Sequence, residues 1–223
     1  MDRNINLDEI TDGKRYGLND LVKVECNDCK DCSACCQGMG SSILLDPLDI
    51  YRLTTGLHVR FEELLADRIE LNLVDGLILP NLKMAGSTEQ CAFLNEEGRC
   101  SIHSIRPGIC RIFPLGRIYE NGSFEYILQV HECKKENKSK VKVQKWINTP
   151  QLKENEKFII DWHYFIKEIQ QFLMNSKDEQ LSKKINLFLL NLFFAKPYEE
   201  ERSFYEQFEE RFLQAKEVIG SLK

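Results

Sequence analysis

Nine cysteines carry the most legible chemistry in this sequence, and five of them fall in eleven residues, Cys26-Asn-Asp-Cys29-Lys-Asp-Cys32-Ser-Ala-Cys35-Cys36. Neither a hydrophobic core nor a loop requires that density of thiols. The repeated C-x-x-C step lets the chain turn so that two sulfurs face one ion while successive backbone N–H groups donate to the thiolates. Downstream lie Cys91, Cys100, Cys110 and Cys133. Together the cysteines suffice for more than one four-coordinate site, and zinc is the first expectation because closed Cys₄ sites spread over knuckles and hairpins are its habit. Iron or a 4Fe-4S cluster is the alternative. Cys26-x-x-Cys29-x-x-Cys32 reproduces the first three ligands of a bacterial ferredoxin cluster, and Cys91, Cys100 or Cys110 could supply the fourth, which is missing locally.

Cys35 and Cys36 are adjacent, and neighbouring side chains diverge, so the pair is expected to serve two centres or to bridge them rather than share one tetrahedral ion. Eight cysteines in two sets of four would suit two zinc ions. All-thiolate sites are anionic, which gives Arg106 and Arg111, flanking Cys110, a role in offsetting charge. The bland alternative is a pair of surface arginines held by the Pro107-Gly108 turn. His103 lies in the same passage, where a lone imidazole serves packing and hydrogen bonding as readily as ligation.

The cysteine spacing continues as Cys91-Ala-Phe-Leu94, Gly98-Arg-Cys100-Ser-Ile102 and Arg106-Pro-Gly-Ile-Cys110-Arg-Ile-Phe-Pro114. Joined to Cys29-x-x-Cys32-x-x-Cys35-Cys36, this combination resembles the YkgJ-like cysteine-cluster family, the CxxCxxCC domain, over roughly residues 26–133. The resemblance implies a zinc- or iron-chelating domain whose pattern falls on Cys29, Cys32, Cys35, Cys36, Cys91, Cys100 and Cys110, with Cys133 a looser match. Cys26 is an extra thiol outside the signature. A similar cysteine pattern occurs in flagellin lysine N-methylase, which implies an S-adenosylmethionine-dependent protein methylase as an alternative function. No glycine-rich cofactor loop followed by an acidic residue accompanies it here.

Other chemistries have less to stand on. The four histidines form no H-E-x-x-H or H-x-E arrangement, against a zinc hydrolase or deaminase. Gly38-Met-Gly40 is no phosphate fingerprint, and no thioredoxin-like pattern surrounds the C-x-x-C steps. A net charge of -5 argues against a protein that coats nucleic acid. Six lysines in twelve residues, Lys134, Lys135, Lys138, Lys140, Lys142 and Lys145, could still form a phosphate-contacting strip, although such runs more often form a solvated link between domains. The first residues lack a secretory h-region, and no apolar run is long enough to span a membrane, so the cytoplasm is the expected compartment.

The elements that must hold the thiols can be read in outline. Residues 1–25 are expected to be an N-terminal tail that becomes ordered near Val22 and Val24. Ile43-Leu44-Leu45 suits a buried strand, and Asp46-Pro47-Leu48-Asp49 starts a helix that buries Ile50, Leu53 and Leu57 and stops at Gly56. A second helix spans Phe61 to Arg68. Two hairpins follow, turning at Asp75-Gly76 and Asn121-Gly122, with Pro80 marking a sheet edge and Phe124, Tyr126, Leu128 and Val130 on one face. Beyond Trp146 three apolar stripes at helical spacing predict three helices, which pack as structure or present a docking face to a protein partner. The expectation is an α+β fold: a cysteine-cluster metal-binding domain over 26–148 with short β-hairpins and helices, then a helical C-terminal region over 149–223. Whether the metal is scaffold, store or catalyst is open at this point.

Overall fold

The fold is seen in a computed structural model that describes residues 7–25, 32–176 and 178–222. Cys26 and Cys29 therefore lie outside the described residues.

The described residues open with a single turn, α1 (Leu7–Ile10), and then follow the second hairpin before entering β1 (Leu21–Glu25). The stretch expected as a tail is built into the fold from Thr11 onward. Tyr16 exchanges backbone hydrogen bonds with Tyr126 at 2.8 and 3.0 Å, and Tyr16, Val22 and Val24 are buried.

Helix α2 (Pro47–Leu57) forms as its first residues dictate. Asp46 Oδ1 accepts from the Asp49 N–H at 2.9 Å, Asp49 Oδ2 accepts from the Asp46 N–H at 3.2 Å, and Pro47 occupies the first turn, where its missing N–H costs nothing. Ile50 and Leu53 are buried, whereas Leu57, at 37% exposure, lies outside the expected buried stripe. Nor does Gly56 end the helix. His58 caps it in the left-handed region at φ 55°, and Gly56 is inside, where an added Cβ would stand 2.6 Å from Ile105 Cδ1. Its function is close approach. Helix α3 (Phe61–Asp67) ends with Arg68 as its cap.

Strands β2 (Ile69–Val74) and β3 (Leu77–Leu82) pair about Asp75 and Gly76, whose φ angles of 50° and 83° are those of a tight hairpin turn. Pro80 sits opposite Leu71, and its carbonyl faces outward to accept from Leu45 N at 2.9 Å. The run Ile43–Leu45, expected as a strand, makes a single bridge, Leu44 to Asn81, along that outer edge. Two-residue strands β4 (Met84–Ala85) and β5 (Gln90–Cys91) pair next. A 3₁₀ turn at His103–Ile105 leads to α4 (Gly108–Ile112). The second hairpin joins β6 (Leu115–Glu120) and β7 (Ser123–Leu128) through Asn121 and Gly122. Val130 falls beyond β7 and is 36% exposed rather than on the buried face.

The lysine-rich stretch is partly a strand. β8 (Ser139–Lys142) pairs antiparallel with β1, placing Val22 opposite Val141 and Lys23 opposite Lys140, and runs into α5 (Val143–Ile147). Among the described residues the four sheets are thus two-stranded and antiparallel. β1, β8, α4, α5 and the base of the second hairpin enclose a small core around Val24, Val143 and Ile147.

The larger core is shared between the first hairpin, α2 and the three C-terminal helices, α6 (Leu152–Asn175), α7 (Glu179–Leu190) and α8 (Phe204–Gly220). Phe158, Phe165, Ile169, Ile185, Phe208 and Phe212, all from the expected stripes, are buried in it. Asn186, which interrupts the apolar run of α7, accepts from Ile78 N at 2.5 Å and donates to Gly76 O at 3.1 Å, so it ties the helix to the hairpin turn. Gln170 Nε2 does the same for α6 by donating to Val74 O at 3.0 Å. Among the described residues no helix is long and apolar enough to cross a membrane.

Candidate metal centre

Each cysteine segment reaches the site by a local device. A 3₁₀ turn, Ala34–Cys36, presents Cys35 and Cys36. Gly38, at φ 68°, then bends the chain so that its N–H donates to Glu89 O at 2.9 Å, and Gln37 bridges Gln90. That contact lays the first cysteine segment beside β5 and Cys91. The turn Asn95–Arg99, closed by Asn95 N to Arg99 O at 2.9 Å, carries the chain from Cys91 back to Cys100, and Leu94 bridges Cys100. Cys110 stands on α4, whose start is held by Asp49: the buried carboxylate that closes the α2 capping box also accepts from Gly108 N through Oδ1 at 2.7 Å. Gly56 against Ile105 is the second point where α2 grips this segment.

These devices bring six of the nine expected ligands to one cavity of about 360 Å³: Cys32, Cys35, Cys36, Cys91, Cys100 and Cys110. His103, Arg99, Arg106 and the thioethers Met39 and Met84 share its wall. Cys133 is not on that wall. It lies in the turn before β8, where its carbonyl accepts from Lys138 Nζ at 2.8 Å, while its neighbour Glu132 faces the cavity. Among the described residues no group of three or more His, Cys, Asp or Glu is gathered tightly enough to hold one ion.

The electrostatics are those of thiols that share protons and charge. Cys35 and Cys36 follow one another in the tight 3₁₀ turn, and each acts on the other's titration. The Cys36 thiol donates to Cys35 and, with the Cys35 N–H and the Arg106 charge, holds Cys35 down at about 7 against its burial. Cys36 is pushed up for the same first reason, then by burial and by the charges of Cys35, Cys100 and Cys91. Burial raises Cys91 and Cys100, opposed in each case by the backbone N–H two residues on, Phe93 to Cys91 and Ile102 to Cys100. Burial and then the Asp49 charge raise Cys110. The mutual influence of Cys35, Cys36, Cys91, Cys100 and Cys110 makes them one electrostatic unit.

Such a donor set fits a borderline or soft metal. Sulfur predominates, two sulfurs already receive the N–H groups that support bound thiolates, and Arg106 lies close enough to lower Cys35 and Cys100. Arg111 is placed differently. Its guanidinium donates to Ser104 O at 2.7 Å and Asn148 O at 3.5 Å, so it ties the cysteine segment to the end of α5. His103 Nε2 contacts the Arg106 guanidinium on the wall of the thiol cavity.

Hairpins that gather distant thiols into one pocket define a cysteine-cluster metal-binding domain. The CxxCxxCC family, described as a "putative zinc- or iron-chelating domain", matches residues 28–144, just over half of the chain. The chain belongs to that family. The match begins after Cys26 and runs past Cys133 and β8 into the start of α5, so β1, the partner of β8, falls outside it. No curated protein and no solved structure matches the chain.

Proposed function

We propose that the protein chelates zinc through Cys29, Cys32, Cys35, Cys36, Cys91, Cys100 and Cys110, in two adjacent centres that meet at Cys35 and Cys36. Cys133 and Cys26 stand at the margin of this set. The observation that carries the reading is the convergence of six thiols, drawn from segments up to 78 positions apart between Cys32 and Cys110, on one cavity. Cys29 is included because the family match, which begins at residue 28, takes it in. Cys32 lines the thiol cavity, and Glu25 lines a neighbouring groove that shares Cys100, His103 and Arg106 with it. Held in closed thiolate sites, the ions act as structural cross-links between the hairpins.

An iron-sulfur cluster is the second reading, favoured by a cavity volume of about 360 Å³, which is larger than one or two bare ions need. Elemental analysis of anaerobically purified protein, read with its visible spectrum, separates the two. Stoichiometric zinc in a colourless protein supports the first. Brown protein with iron and sulfide replaces it by the second, and protein free of both metals overturns chelation.

A further inference from the structure

On the other side of Leu44 from the thiols lies a second cavity, of about 180 Å³, between β3, β6 and α6. Most of its wall is apolar, including Leu79, Ile159, Trp162 and Ile166. Into it comes Arg117 of β6, which no part of the metal centre uses. The guanidinium lies 5.3 Å from the Phe124 ring centre and 5.9 Å from that of Tyr126, and its charge acts against the burial that raises Tyr119 and Tyr126. Its Nε–H is buried with no acceptor. Asp46, Asp49 and Glu156 feel the Arg117 charge, but none of them accepts from this Nε–H, and a buried charged donor left without an acceptor is costly.

We propose that this cavity binds a small organic carboxylate with a flat apolar body, of the size and shape of benzoate, seated with its carboxylate on Arg117. Size supports the match, since an apolar cavity of about 150 Å³ takes a benzene ring. Chemistry supports it too: the planar guanidinium pairs with carboxylates in strong, directed hydrogen bonds, and mostly apolar walls with a few converging polar groups typify small-molecule sites. Asp46 is the wall's carboxylate among the described residues. Burial and Asp49 push it up to about 7, which weakens its repulsion of an entering anion.

Calorimetry of the full chain with benzoate tests the assignment, and the readout does not depend on metal content. Saturable binding is expected, weakened roughly tenfold or more both for Arg117→Lys and when neutral benzyl alcohol replaces benzoate. Ile166→Phe, which fills the cavity from α6, should abolish it. No saturable heat at millimolar benzoate overturns the proposal, and so does equal affinity for benzyl alcohol. If Arg117→Lys fails to fold, the comparison of the two ligands on unaltered protein still decides.

Discussion

At the scale of single residues, the site is governed by how side chains share protons. Cys35 and Cys36 sit in one 3₁₀ turn and act on each other's titration, so a substitution at Cys36 removes both a proposed ligand and the group that holds Cys35 low. Cys36→Ser should therefore lose most of the bound metal and lower the melting temperature, whereas Cys26→Ser, outside the family match, should keep near-stoichiometric metal by elemental analysis. A second residue-level effect belongs to Asp46. Its folded-state pKa is raised from 3.8 to about 7 by burial and then by Asp49. Between those values the folded state holds more protons than the unfolded one, so this group's effect is to lower stability as pH rises through that window. Asp46→Asn keeps a capping oxygen and removes the titration. Thermal melts from pH 5 to pH 8 should show a decline smaller by ~2–4 °C in the variant, the size of about 1 kcal/mol in a chain of this length. An unchanged decline would reject the assignment.

At the scale of elements, α2 is the positioning device of the centre. Its N-terminus holds the start of α4 through Asp49 and Gly108 at 2.7 Å, and its last turn admits the 3₁₀ turn because Gly56 has no Cβ. Gly→Ala inside a helix normally gains ~0.5–1 kcal/mol. Here Gly56→Ala should cost ~1–3 kcal/mol through overpacking against Ile105, read from urea denaturation. Ile105→Val, which removes the atom at 2.6 Å, should recover part of the loss in the double variant. Additive effects would show that the contact does not matter. The helix itself was legible in the sequence, because Asp46, Pro47 and Asp49 act within one turn. Its grip on Gly108 was not, because a carboxylate already satisfied by a capping box gives no sign of a second donor 59 positions away.

The same division between local and distant signals holds for the whole molecule. Hairpins announced by Asp75-Gly76 and Asn121-Gly122 stand where expected, and six of the cysteines singled out by their spacing line one cavity. β1 with β8 was hidden, since a five-residue strand preceding the cysteines and a four-residue strand among lysines carry no shared pattern until they pair. β4 and β5 are too short for alternation to register. Where composition suggested a metal domain followed by helices, the large core runs through both: Asn186 and Gln170 bond the first hairpin, and Phe158 to Phe212 cover it. A chain ending at Asn148 should accordingly show no cooperative urea transition and should bind the dye ANS, having lost the helices that bury its hairpin face. A sharp two-state transition in that fragment would contradict the shared core.

The pairing of Leu21 with Lys142 also sets an order of events during synthesis. At ~5–20 residues per second, β8 follows β1 out of the ribosome by roughly 6–24 seconds. For most of that interval the first thiols lack Cys110, and for the earlier part Cys91 and Cys100 as well, while no closed small core lies beneath them until β8 arrives. Newborn chains thus pass through a stage of open sulfur chemistry, and the surroundings of the nascent chain decide whether those sulfurs reach their metal or an oxidant first.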